Sequence, residues 1–544
     1  MVKLRVGVLE IINDSTAHGF LARLYESRFR KIYASITPQA VSVWCRQLGH
    51  DVRYATYYGQ AVPEDLLPAE LDIVFIATDT RSSALAYALA KLYRRRRVLT
   101  VIGGSHARAF PLDCIRFFDF TVRDCDKVLI DDILKGVYAR GSIVTSGRAL
   151  TEIPSVEERM PEIVSATFTK RGKPGWIGTV GILSSIGCPY KCDFCIDWAS
   201  PYVMLPRELL EADLRFVSER WPGLLVGYHD PNFGVRFDEV LDVIESLPLG
   251  RRNRYAMESS LAILRGPRLS RLRETKCVFA APGVESWSDY SNKAGVGKKS
   301  GWEKLERVVD HFHELHVHIP GLQANFMFGT DVDAGDEPVE LTKEFIRRTP
   351  FVWPTINIPV PFGGTPLHEA QLAAGRILKS MPFSFYYLPF LVTTLKNYHP
   401  IEYYEKLIEI HVEAITTGML LRRLATSPTA GARAHHTLRT LGMRNDLREL
   451  RAILARLRSD PELLAYHEGR GNGLPAFYRQ IYARKLGRYC ELLSEDERRP
   501  VLDSLPPAST AGIRERPASP SGVVAIKGRR QQSQQRAQAA APSS

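Results

Sequence analysis

Ser184-Ser185-Ile186-Gly187-Cys188-Pro189-Tyr190-Lys191-Cys192-Asp193-Phe194-Cys195 puts three thiols within eight residues, directly after the strand-like stretch Gly178 to Ser184. The spacing is Cys-x3-Cys-x2-Cys. A tetrahedral structural zinc site wants four ligands, usually as two separated pairs, and no second pair exists in the chain. Three thiolates on one loop suit three irons of a cubane cluster, leaving the fourth iron open to a substrate or cofactor, and the softness of sulfur favours iron–sulfur binding. The other cysteines, Cys45, Cys114, Cys125, Cys277 and Cys490, are scattered and read as reduced thiols.

Around this loop, strand and helix signals alternate. Strand candidates are Gly178 to Ser184, Leu224 to Tyr228, Arg254 to Met257, Val278 to Ala281, Gln323 to Phe328 and Thr355 to Pro359, with helices such as Arg207 to Arg220, Phe237 to Ser246 and Gly301 to His313 between them. Six such units predict a partial barrel of the TIM type, whose chemistry is built at the carboxyl ends of its strands. Upstream, Leu4 to Ile11, Val52 to Tyr58, Asp72 to Ala77 and Val98 to Ile102 read as strands, alternating with helices over Gln39 to Leu48 and Ala84 to Tyr93. That rhythm predicts a doubly wound parallel sheet. Gly103-Gly104-Ser105-His106 then lies beyond a strand end, where a bound group can meet bare backbone.

Residues Arg140 to Gly175 lose the alternation and carry Pro154, Pro161 and Pro174, as a linker would. Beyond Tyr398 the strands vanish, and Leu447, Leu450, Leu454 and Leu457 fall at helical spacing behind the capping candidates Asn445 and Asp446. After Leu505 the Pro, Ala, Ser, Gln and Arg composition cannot bury enough apolar surface to offset ordering entropy. The expected α/β plan is therefore an N-terminal doubly wound sheet (1–139), a linker (140–175), a partial (β/α)6 barrel (176–380), a helical region (381–504) and a disordered basic tail (505–544).

At 544 residues the chain is too long for one core, and 45% hydrophobic with 24% charged residues is the balance of a globular protein. The net charge of +12 is partly a property of the tail, where Arg514, Arg516, Lys527, Arg529, Arg530 and Arg536 face only Glu515. Arg94-Arg95-Arg96-Arg97 closes a helix-like segment, where cations complement the carbonyl end. Arg422, Arg423, Arg433 and Arg439 give scattered charge instead of a basic, aromatic-lined groove, which argues against a nucleic acid partner. No apolar run is long enough for a membrane span, and the first residues lead into a strand without a cleavage signal, so a cytoplasmic location is expected.

The cysteine segment resembles the signature of the radical S-adenosylmethionine (SAM) superfamily, including an aromatic residue, Phe194, before the last cysteine. This resemblance implies a 4Fe-4S cluster on Cys188, Cys192 and Cys195. Its open iron binds the amino and carboxylate groups of SAM, and one electron cleaves SAM to a 5′-deoxyadenosyl radical that abstracts hydrogen from carbon. Further stretches are similar to the subgroup with an N-terminal cobalamin-binding domain. His229-Asp230-Pro231-Asn232-Phe233 is similar to a turn after the second barrel strand, which implies Asp230 and Asn232 beside the cofactor's amino group. Gly283-Val284-Glu285-Ser286 is similar to the turn after the fourth strand, which implies Glu285 and Ser286 at the ribose. Pro361-Phe362-Gly363-Gly364-Thr365-Pro366 approximates the turn after the sixth strand, with Gly363 where proline is usual.

Gly103-Gly104-Ser105-His106-Ala107 resembles a turn of the cobalamin domain, which implies that Gly103 and Gly104 contact the corrin, near Thr78 to Thr80. The subgroup's Asp-x-His-x-x-Gly motif, which gives cobalt a histidine, is absent; Asp14-Ser15-Thr16-Ala17-His18-Gly19 has a different spacing. The function implied is cobalamin-dependent methyl transfer to an unactivated carbon of a small-molecule substrate, with an electron donor such as flavodoxin or ferredoxin. Two alternatives stand beside it: a cobalamin-independent radical enzyme acting on RNA or peptide, and a non-catalytic cluster-bearing redox or regulatory protein. His106, His229, His311, His313, His316 and His318 read as surface or core residues.

Overall fold

Short runs of branched aliphatic residues, buried on both faces, are what a parallel sheet covered by helices requires. The first such runs are β1 (Arg5–Ile11), β2 (Asp51–Tyr57), β3 (Ile73–Thr78), β4 (Leu99–Gly103), β5 (Phe120–Val122) and β6 (Ser142–Val144), all paired in parallel in the order β2-β1-β3-β4-β5-β6. The computed structural model describes residues 2–13, 16, 34–147, 150, 152–169, 173–174, 178–290, 292–471 and 473–506. Asp14, His18 and the tail beyond Pro506 lie outside the described residues. The chain forms two compact units, one from residues up to 178 joined by the described residues from 482 onward, the other from 179 to 481.

In the first unit, Val6, Val8, Ile73, Phe75 and Val101 pack with Trp44 of α1 (Ile36–Gln47) and with Ile130 and Ile133. Alternate residues on the opposite sheet face, Val74, Ile76 and Ile102, are as deeply buried, as are Leu85 and Leu89 of α2 (Ser83–Arg95). The doubly wound reading is the observed architecture. Strand order reverses between β1 and β3, which opens a crevice at their carboxyl ends.

The stretch expected as a linker contributes β6 and a helix, α3 (Met160–Thr167), whose buried Glu162 accepts a hydrogen bond from Ser42 Oγ at 2.7 Å and pairs with Arg46. Its prolines hide the periodicity without preventing order. The helical residues after Tyr398 also divide between the units. Lys91 meets both oxygens of Glu497 at 2.7 Å, Arg116 donates to the Arg499 carbonyl, and Val501 N–H donates to the buried Asp113 carboxylate at 2.9 Å.

The second unit carries six parallel strands, β7 (Thr179–Ile182), β8 (Leu225–Tyr228), β9 (Tyr255–Ser260), β10 (Cys277–Glu285), β11 (Gly321–Met327) and β12 (Val352–Asn357), in sequential order. Each is followed by a helix: α4 (Arg207–Arg220), α5 (Phe237–Ser246), α6 (Arg268–Glu274), α7 (Gly301–His318), α8 (Glu337–Arg348) and α9 (Pro366–Ala373). This is the expected (β/α)6 partial barrel. Gly181, Gly227, Ala256, Phe279 and Gly321 fall in one register row, and the His229 ring lies over Gly181, where an added Cβ would come within 2.7 Å of it.

Asn445 and Asp446 do not cap a helix; they sit inside α10 (Ala430–Ser459), which starts at Thr429, whose side chain accepts from Ala432 N–H. Gly431 and Gly442 and the polar residues between them mask the earlier turns. Arg439 of this helix donates to Gln323 Oε1 on β11 at 2.6 Å.

Tyr482, Leu486, Tyr489 and Leu493 are almost fully buried in the first unit, and each such side chain stabilises by roughly 1.5–3 kcal/mol. A chain ending at Ile481 should therefore melt its first unit at a clearly lower temperature than the full chain, whereas one ending at Pro506 should match it; calorimetric scans of the three proteins check this.

Candidate active site

The cysteine loop leaves the carboxyl end of β7 and is folded by local constraints. Ser185–Ile186 pairs antiparallel with Val203–Met204, so the segment doubles back over itself. Gly187 has φ 69°, and a Cβ there would stand 2.1 Å from the Pro201 carbonyl oxygen, so only glycine fits. Cys188 N–H then donates to Ser200 O at 3.3 Å, Cys195 N–H to Cys192 O at 3.1 Å and Trp198 N–H to Cys195 O at 3.0 Å. This wrapping leaves all three thiols half-buried.

Burial pushes the Cys195 thiol up to about 11, so a metal must displace its proton, as soft metals do at thiols. Among the described residues no three His, Cys, Asp or Glu side chains gather closely enough to hold one ion. Thiolates of a cubane need not, because each meets a different corner. The donor set, three sulfurs on one tightly turned loop, fits a 4Fe-4S cluster with one iron left open.

Neighbouring turns hold this loop from several sides. Asp230, after β8, is fully buried and accepts from Ser184 N–H at 3.1 Å, Ser184 Oγ at 2.5 Å and Ser185 Oγ at 2.6 Å. Burial raises its pKa in spite of these bonds. Its observed partners are thus the first residues of the cysteine loop. Asn232 is 2% exposed, and neither polar atom of its side chain has a hydrogen-bond partner among the described residues. A buried amide left unpaired destabilises, and points to a missing ligand.

Asp193, within the loop, accepts from Tyr290 Oη at 2.7 Å through its side chain and from Leu367 N–H through its carbonyl, while Trp198 Nε1 donates to Gly364 O at 2.7 Å. The turn after β12 thereby clamps the loop, and Thr365 also caps α9. Glu285, with φ 68°, folds its carboxylate over Gly283, where a Cβ would lie 2.3 Å from Oε1, and pairs with Lys293 at 3.3 Å. Such a conformation strains a residue with a side chain and is commonest at functional sites. Ser286 Oγ meets Ser288 Oγ at 2.9 Å, and Lys304 donates to Ser288 O at 2.7 Å. Desolvation brings the Lys304 pKa down to about 8, although Glu285 and Asp289 oppose the shift.

The turns carrying Asp230, Glu285, Ser286 and Thr365 all follow barrel strands at their carboxyl ends, the edge from which the cysteine loop springs. Sequence reading missed Ser184, Ser185, Tyr290, Lys293 and Lys304. The two serines stand in the quoted stretch, but nothing local marks the other three.

In the first unit, Gly104 has φ 97° and a Cβ there would lie 2.6 Å from the Thr78 carbonyl oxygen, whereas an added Cβ at Gly103 meets nothing within 4 Å. Gly104 is thus demanded by the neighbouring strand, and open space lies over Gly103. His106 is buried, meets Tyr87 Oη at 2.5 Å and is held down to about 3 by desolvation, so it is a neutral core residue.

Fold and site together give a partial barrel that carries a three-cysteine loop beyond its first strand. Residues 182–344 match the family model of the radical SAM superfamily, so the chain carries a radical SAM domain. Its sequence is similar to bacteriochlorophyllide d C-8(2)-methyltransferase of Chlorobaculum tepidum, at 24% identity over 388 residues, covering 66% of this chain and 81% of that protein. Bacteriochlorophyllide d C-12(1)-methyltransferase of the same organism is 24% identical over 322 residues, covering 57% of this chain and 68% of that protein. Among solved structures, the cobalamin-dependent S-adenosylmethionine radical enzyme OxsB, with aqua-cobalamin bound, shares the fold with a TM-score of 0.54 at 13% identity, covering 94% of this chain and 83% of that one.

Replacing Cys188, Cys192 or Cys195 by Ala should each abolish the visible iron–sulfur absorbance, while Cys277→Ala and Cys490→Ala keep it. Asp230→Ala removes hydrogen bonds to a charged group, each roughly 1.5–3 kcal/mol, and should lower both cluster content and the melting temperature of the barrel. Iron and sulfide assays on reconstituted protein check these outcomes; a Cys192→Ala variant with full iron would refute the ligand set.

Proposed function

We propose that this protein is a cobalamin-dependent radical SAM enzyme that transfers a methyl group to an unactivated carbon of a small-molecule substrate. The observation that carries the reading is the three-cysteine loop at the carboxyl end of β7, in a barrel of the radical SAM superfamily. Two methyltransferases among its relatives support the reaction type, and the likeness to OxsB supports pairing such a barrel with a cobalamin-type sheet.

When bound, the cluster supplies one electron to SAM and cobalamin carries the methyl group. The chain's own residues do the holding. Cys188, Cys192 and Cys195 bind three irons, and the unpartnered amide of Asn232 suits the amino group of SAM. Glu285 and Ser286 take the ribose hydroxyls. Asp230 orients the cysteine loop. Residues 1–139 form the cobalamin-binding part, in which the open space over Gly103 lets the corrin approach the backbone. A flavodoxin or ferredoxin delivers the electron, and the setting is the cytoplasm; no described helix is long and apolar enough to cross a membrane.

Action on RNA is disfavoured by where the helical-region arginines go. Arg423 is buried over the Trp353 ring, and Arg439 stands over that ring while bonding Gln323, so neither builds a basic groove.

Protein purified from cells supplied with cobalamin should hold stoichiometric cobalt and cleave SAM under reducing conditions. Gly103→Leu should eject cobalt while sparing the cluster and the melting temperature; Gly104→Leu should destabilise the first unit whether or not cobalamin is present. Wild type with a full cluster and no cobalt would sink the methyl-transfer reading and leave a cobalamin-independent radical enzyme.

A further inference from the structure

Lys293 lies in a short 3-10 turn, Asn292–Ala294, just after the Glu285 turn. Its ammonium stands 5.9 Å from the centroid of the Phe194 ring and 3.3 Å from Glu285 Oε1, and only 20% of the side chain is exposed. Phe194 sits in the chain between Cys192 and Cys195. Lys293 thus presents a positive charge to the face of the loop that carries two of the three sulfurs.

Several independent contacts fix that position. Ala262 N–H donates to Lys293 O at 3.1 Å, and Arg265 donates to the carbonyls of Ala294 and Gly295. Gly295, with φ 66°, allows the close approach, since a Cβ there would lie 2.8 Å from Ala262 Cα. The Lys293 stem crosses above Gly283, 3.3 Å from where a Cβ would stand. Tyr290, three residues earlier, ties the same segment to Asp193 and stacks on Phe194 with ring centroids 5.9 Å apart. Burial opposes the charge, but the neighbouring Glu285 carboxylate holds Lys293 as a cation.

We propose that Lys293 is a positioning residue whose fixed ammonium favours one-electron reduction of the cluster held by Cys188, Cys192 and Cys195. The inference rests on the iron–sulfur reading of those cysteines. A four-iron cluster on three thiolates carries net negative charge, and reduction adds one more. A cation fixed in a poorly solvated site stabilises the more negative state. Glu285 keeps the ammonium in place and offsets part of its field. One electron enters from a low-potential donor, a ferredoxin or flavodoxin, which is oxidised in turn; no proton moves, because Lys293 stays an ammonium throughout.

The test uses the full-length protein, reconstituted anaerobically with iron and sulfide and titrated with titanium(III) citrate without SAM, the reduced cluster being read by electron paramagnetic resonance. At the potential where wild type is half reduced, Lys293→Met with the same iron content should show a reduced-to-oxidised ratio about tenfold lower, which is 59 mV for a one-electron couple. Lys293→Gln, whose amide can still bond Glu285, should shift the same way, and Lys293→Arg should restore most of the wild-type ratio. Neutral variants with full iron and an unchanged midpoint would overturn the proposal. So would an unchanged midpoint with weakened SAM binding, which would make Lys293 a cofactor contact instead. Wild type that takes up no four-iron cluster would refute the cysteine assignment itself, and with it this inference.

Discussion

A buried carboxylate must be hydrogen-bonded or give up its charge, and in this protein Asp230 is satisfied by the first residues of the cysteine loop. The bonds run from the end of the second barrel strand to the end of the first. Stripping a carboxylate of its partners in such a site destabilises by several kcal/mol, so the loop's starting direction is fixed by a strong local term. Everything that the cysteines do depends on that direction. Gly187 then turns the chain against Pro201 in a space that admits no side chain.

Once the loop is aimed, the turns after the fourth and sixth strands close on it. Tyr290 and Leu367 both bond Asp193, and Trp198 reaches the carbonyl of Gly364. Parallel strands deliver all these turns to one edge of the barrel, which is why residues as far apart in the chain as Trp198 and Gly364 meet there. The strained Glu285 and the half-buried Lys293 belong to the same assembly. Their charges are held where water screens them little, so they act at longer range than surface charges would.

The first unit separates two uses of glycine that look alike in sequence. Gly104 serves the fold, because the Thr78 carbonyl leaves no room for a side chain, whereas Gly103 faces open space and has no such constraint. The same unit takes its last helical segment from the far end of the chain, through Lys91–Glu497 and Asp113–Val501.

Local pattern was enough for the parts of this protein whose physics is local. Cysteine spacing singles out the candidate cluster loop because its three thiols are neighbours in the chain, and alternating apolar runs identify both parallel sheets because period and burial are written residue by residue. The start of the long helix at Thr429, the ordered β6 and the return of residues 482 to 506 to the first sheet were not legible, since prolines, glycines and polar residues there are overridden by packing against distant strands. The candidate site divides in the same way. Cys188, Cys192, Cys195, Asp230, Glu285 and Ser286 stand in recognisable turns, but that Asp230 holds the serines, and that Lys293 faces Phe194, follows only from the barrel bringing separate strand ends within a few ångströms. Electrostatic and hydrogen-bond partners are chosen by distance in space, and the sequence alone contains no such distances.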